Sequence, residues 1–81
     1  MAPLAQSVIQ ERVRLNIRRL RNAKGISQEQ LAEDAGIARA YLGHLEARGR
    51  NISIDVLAGL AQALDVDVRE LLRPQDEWDD E

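Results

Sequence analysis

The residues best suited to chemistry lie between Gln28 and Asn51, where Arg39, Tyr41, His44, Arg48 and Arg50 accompany the amides of Gln28 and Asn51. This is a set of hydrogen-bond donors, suited to holding a partner. It is poorly suited to catalysis, because the chain has one His and no Cys. Without cysteine there is no disulfide or thiolate metal site, and one His cannot build a zinc site alone. No cluster of Asp or Glu has metal-loop spacing, no glycine loop has the phosphate-binding pattern, and a chain this small leaves little room for a ligand pocket. An enzyme is therefore the weakest reading, and no metal or small-molecule cofactor is expected.

The elements that must position these residues are helical. Ser7 and Gln10 form a capping-box pattern, after which Val13, Ile17 and Leu20 recur at helical spacing. This predicts a first helix running to about Lys24 and stopping at Gly25. Ser27 and Gln30 repeat the box and open a short second helix with Leu31, Ala32 and Ala35 inward, ended by Gly36. A third helix covers about 38–48, with Leu42 and Leu45 on its inner face and an Ile37–Leu42 staple across its start. Arg39, Ala40, Tyr41, Gly43 and His44 are then expected to face away. Ser53 caps a fourth helix carrying Leu57, Leu60, Ala61 and Leu64 inward, with Asp55 in its first turn. Asp67 and Glu70 mark a fifth, bearing Val68, Leu71 and Leu72 and stopped by Pro74. The expected fold class is all-α: a compact five-helix bundle, with a flexible N-terminus at 1–6, one domain at 7–73 and an acidic disordered tail at 74–81.

Composition agrees with a single small domain. The chain has 81 residues, 44% of them hydrophobic, with no Phe, one Tyr and one Trp. Its core must be aliphatic, and a domain of this size buries proportionately little surface, so pairing with a second copy would add stability. The opening MAPLAQS has neither the basic nor the apolar region of a signal peptide. No apolar run approaches the ~20 residues that span a bilayer. The expectation is a cytoplasmic protein with no membrane partner.

The formal charge of −3 is unevenly spread. Without residues 76–81 the chain carries 11 basic and 9 acidic groups, and six of the basic ones fall between Arg12 and Lys24. The field is basic over the first two-thirds and acidic at the end.

Residues 14–72 resemble the lambda-repressor and Cro type of helix-turn-helix, also called the xenobiotic-response-element family. The resemblance rests on Arg21, SQEQLA at 27–32, Gly36, Leu42, LE at 45–46 and LAGLAQALDV at 57–66. Within that family YLGHLEARGRNISID at 41–55 is most similar to the small controller proteins of restriction–modification systems, on the strength of Arg39, Tyr41 and the Arg50–Asn51 pair. The resemblance implies a homodimeric transcriptional regulator whose partner is double-stranded DNA. The third helix would enter the major groove of a palindromic operator. Arg39 would bond O6 and N7 of guanine, and Ala40 would meet a thymine methyl. Tyr41 and His44 would bond base or phosphate, although the Tyr41 ring has the alternative of packing on the core edge. Gln28, Arg48, Arg50 and Asn51 would hold the DNA backbone, and Arg21 with Glu46 would form a structural pair between the first and third helices. Ile52, Ile54, Val66, Val68 and Leu72 supply more apolar surface than a small bundle needs inside, and are the expected dimer surface. The family usually caps the third helix with Ser, Thr or Asp. This chain has Ala38, which is worth about 1 kcal/mol less. A second reading keeps the helix-turn-helix as a scaffold for protein contact, as in an antitoxin, and the acidic tail is the feature that favours it.

Overall fold

A computed structural model describes residues 3–49 and 51–78. Within them the chain forms four α-helices, α1 (Gln6–Lys24), α2 (Gln28–Ala35), α3 (Arg39–Arg48) and α4 (Ile54–Leu64), followed by 3-10 turns at Val68–Leu72 and Gln75–Glu77. Val13, Asn16 and Ile17 are the buried residues of α1, a stripe of i, i+3, i+4 spacing. Leu31 and Ala32 of α2, Leu42 and Leu45 of α3, and Leu60, Ala61 and Leu64 of α4 close on that stripe with Leu71, and the core is wholly aliphatic.

Local signals decide most of the helix ends. Gly25 and Gly36 both stand at φ 72° just past a helix. The amides of Gly25 and Ile26 cap the carbonyls of Asn22 and Arg21. Ser27 Oγ accepts the Gln30 amide at 3.0 Å and Ser53 Oγ the Val56 amide at 3.1 Å. Only half of the box at Ser27 forms, since the Gln30 side chain turns forward to Asp34.

Three expectations need correction. Helix α1 starts at Gln6 with Ala5 as an extended N-cap and no side-chain cap, so Ser7 lies inside the first turn. At an exposed end water satisfies the first amides, and a cap worth about 1 kcal/mol does not set the boundary. The fifth helix is not α-helical, so the bundle has four helices and not five. Asp67 Oδ1 takes the Arg69 amide at 2.9 Å, which holds that carboxyl below its usual range. Arg73, ahead of Pro74, is already extended. Five residues between those two stops are too few to repay an α-helical nucleus, and the tighter 3-10 turn results. Finally, the packed chain does not stop at residue 73. Asn16, fully buried, donates through Nδ2 to the Arg73 carbonyl at 2.8 Å. The Trp78 ring then lies 4.8 Å below the Arg19 guanidinium.

The tightest helix contact is at the end of α3. Gly49 is buried at φ 67°, and a Cβ added there would run into the Gln10 carbonyl and the Arg14 Cβ of α1. Gly49→Ala is expected to lower the unfolding free energy by about 2–4 kcal/mol, as strain and overlap add. Gly36→Ala, equally strained but facing open space, should cost only about 1–2 kcal/mol. Urea unfolding followed by circular dichroism measures both. Equal losses would show that the Gln10 carbonyl yields.

Candidate nucleic-acid interface

The corner between α2 and α3 is built on a charged cluster. Arg21 Nε donates to Glu46 Oε2 at 2.7 Å and its second terminal nitrogen to Oε1 at 3.0 Å, while the first reaches the Ile26 carbonyl at 3.0 Å. Gln28 Nε2 adds a bond to Glu46 Oε1 at 3.2 Å. The Glu46 side chain is only 4% exposed and that of Arg21 16%. The hydrogen bonds from Arg21 to Glu46 raise the Arg21 pKa above the ordinary guanidinium value, outweighing the opposing effect of burial, so the guanidinium stays charged. One carboxylate thereby ties α1, the start of α2 and the end of α3 together.

Held in this way, α3 presents Arg39, Ala40 and His44 to solvent from its first two turns. Tyr41, expected beside them, is half-buried against the core, with its hydroxyl 3.5 Å from the Asn51 carbonyl. Its position explains this, because residues 41, 42 and 45 share one helix face and Leu42 and Leu45 are in the core. Gly43 is half-buried beside Gln28. Gln28 occupies the first position of α2, but its side chain is engaged with Glu46. Arg48 closes α3 and is exposed, and Asn51 follows it, exposed, at φ 57°. Arg50 lies outside the described residues.

The apolar set divides. Ile54 is 83% exposed, Val68 40% and Leu72 39%. Ile52 and Val66 are half-buried and pack on the core instead, Val66 with its amide capping the Ala61 carbonyl of α4. The sequence reading missed Asn16, whose Oδ1 also accepts from Arg19 at 3.0 and 3.2 Å. Its only signal is a polar residue falling on the Val13–Ile17 stripe.

Comparison with known proteins is consistent with this architecture. Residues 17–71 match the helix-turn-helix family model. The chain is 43% identical over 67 residues to Control protein C.SmaI of Serratia marcescens, which covers 83% of this chain and 80% of that protein. Among solved structures, the restriction-modification controller protein C.AhdI from Aeromonas hydrophila superposes with a TM-score of 0.71 at 43% identity, over 83% of this chain and 98% of that one. The hypothetical transcription factor NHTF from Neisseria gives a TM-score of 0.81 at 33% identity, over 95% and 90%.

The cluster at Glu46 makes a stability prediction. Glu46→Leu leaves the Arg21 charge without its partner and should cost about 2–4 kcal/mol. Adding Arg21→Met removes the stranded charge and should recover part of that loss. Chemical denaturation of the two variants provides the check. A double variant no more stable than the single one would mean that the pair is not a coupled unit.

Proposed function

The chain belongs to the helix-turn-helix family, and from that premise we propose that it is a homodimeric transcriptional regulator that binds double-stranded DNA sequence-specifically. The observation that carries this reading is the exposed face of α3. Arg39, Ala40 and His44 are exposed on a helix that the Arg21–Glu46–Gln28 cluster bonds to the two helices beside it. With α3 in the major groove, Arg39 in the first turn takes a guanine edge through two hydrogen bonds. Ala40 meets a thymine methyl and His44 bonds base or phosphate. Tyr41 contributes its hydroxyl from the edge of the same face. Arg48, Arg50 and Asn51 hold the backbone beyond the helix, together with the start of α2 at Gln28.

A single recognition helix reads too few base pairs for a unique address, and a symmetric dimer doubles the site. Two copies related by a two-fold axis place their α3 helices ~34–36 Å apart, one turn of DNA. The exposed Ile54, Val68 and Leu72 supply the apolar surface for pairing, with Ile52 and Val66 supporting it from the core side. The 43% identity to a named control protein and to a controller-protein structure supports the same reading.

Selection of bound sequences from a random duplex pool is expected to return a two-fold symmetric motif. Failure to enrich any sequence would overturn the reading. Arg39→Ala should flatten the preference at one base pair per half-site while affinity for random DNA stays within about twofold, as expected for a residue that reads a base and does not hold phosphate. Equal loss on both duplexes would remove Arg39 from readout. Light scattering on the eluting peak should give a dimer at micromolar concentration, and Leu72→Asp a monomer. A wild-type monomer on the operator would refute the paired geometry.

A further inference from the structure

The first helix carries five arginines, and the structure gives three of them bonded partners. Arg14 is bonded to Glu11 at 2.8 Å. Arg19 is spent on Asn16 and the Trp78 ring, and Arg21 on Glu46. Arg12, half-buried on another side of α1, lines a hollow that Asp76 and Trp78 also line, without a hydrogen bond or ion pair to a described residue. Arg18 differs from them all. It is exposed and, among the described residues, makes no hydrogen bond or ion pair.

Its position gives that freedom a direction. Arg18 lines an open notch of about 240 Å³ whose other walls are Arg21, Gln28, Gly43, Glu46 and Ala47. The notch therefore sits where α1, the start of α2 and the outer side of α3 meet. Gly43 keeps one wall at backbone level, since only the Gln28 Oε1 atom lies within contact range of an added Cβ, at 3.7 Å. Glu46 brings a negative charge, but Arg21 neutralises it across two hydrogen bonds. The uncompensated charge of the notch is thus the Arg18 guanidinium. A second hollow, lined by Arg21, Ser27, Gln28, Glu29 and Arg39, adjoins the first through Arg21 and Gln28. Arg18 and Arg39 consequently bracket the start of α2, one on each side.

We infer that Arg18 is a phosphate-anchoring residue of this protein, seating a DNA backbone phosphate in the notch between α1, α2 and α3. This rests on the DNA-binding reading and adds to it a contact from the first helix. The anchor sets register: a phosphate fixed on one side of α2 determines which base lies opposite Arg39 on the other. A guanidinium suits the task because it forks onto two phosphate oxygens. Its free state leaves no intramolecular bond to be broken on binding.

The test compares salt dependence. Fluorescence anisotropy of wild-type protein on its selected duplex and on a random duplex, across a series of salt concentrations, gives the slope of log affinity against log salt. Arg18→Gln should weaken binding to both duplexes by the same factor and make the slope shallower by about 0.9 per subunit, the value for one lost phosphate contact. Arg18→Lys, which keeps the charge, should retain the wild-type slope. Arg12→Gln, an equal change in net charge on another side of α1, should also leave the slope unchanged. Because Arg18 is exposed and makes no hydrogen bond or ion pair with the described residues, its variants should melt with the wild type. An Arg18→Gln slope equal to that of wild type, or an Arg12→Gln slope reduced as much, overturns the assignment. A wild-type protein that binds neither duplex overturns the DNA reading itself, a separate result from either.

Discussion

A carboxylate with almost no access to water has to find its compensation inside the fold, and Glu46 finds it in Arg21 and Gln28. Desolvating such a group costs several kcal/mol unless the surrounding bonds replace water, and here both oxygens are occupied by donors from other helices. The bonds have direction, so they constrain geometry in a way that the aliphatic core does not. Leucines tolerate sliding as long as volume is kept. A bidentate guanidinium tolerates very little. The relative placement of α1, α2 and α3 follows from this cluster, and with it the orientation of the exposed face of α3.

Legibility in the sequence tracked the range of the interaction. Ser27, Gly36, Gly25 and Ser53 announce their helix ends because a hydroxyl or a positive φ acts within four residues. Ser7 carries the same signal and fails, since that helix end is exposed and water serves its first amides. Around residues 67–74 the cap and the proline mark both ends of an element correctly, yet neither reports how the amides between them pair. The difference between α and 3-10 was therefore hidden. For Tyr41 the sequence left two places open, and its spacing from Leu42 and Leu45 favours the core edge that the ring occupies. Asn16 was out of reach altogether, because its partner carbonyl lies 57 positions away.

The C-terminal segment reveals a second polar clamp on α1. Asn16 holds the Arg73 carbonyl, Arg73 reaches Glu70 and the Glu77 carbonyl, and Arg19 joins Asn16, Glu70 and the Trp78 ring. Helix α1 is thus gripped on one side by Glu46 and on another by this group. Its arginines, a uniform basic run in the sequence, are sorted by the fold into three bonded members, a half-buried Arg12 and an exposed Arg18. Counting charges along the chain could not have made that distinction, because it depends on which face of α1 each neighbour covers.

The outer face of α3 has a consequence for how such a protein changes through time. Arg39, Ala40 and His44 are exposed and make no hydrogen bond or ion pair with the described residues, so the cost of altering them would fall mainly on whatever they meet outside the chain. Buried residues that hold the fold and exposed residues proposed to meet a partner are interleaved along one ten-residue helix. On the proposed reading, a lineage built on this scaffold would exchange one recognition set for another by point substitutions at exposed positions, with little cost to stability. Divergence of address is then limited by the partner site alone, which must change in step.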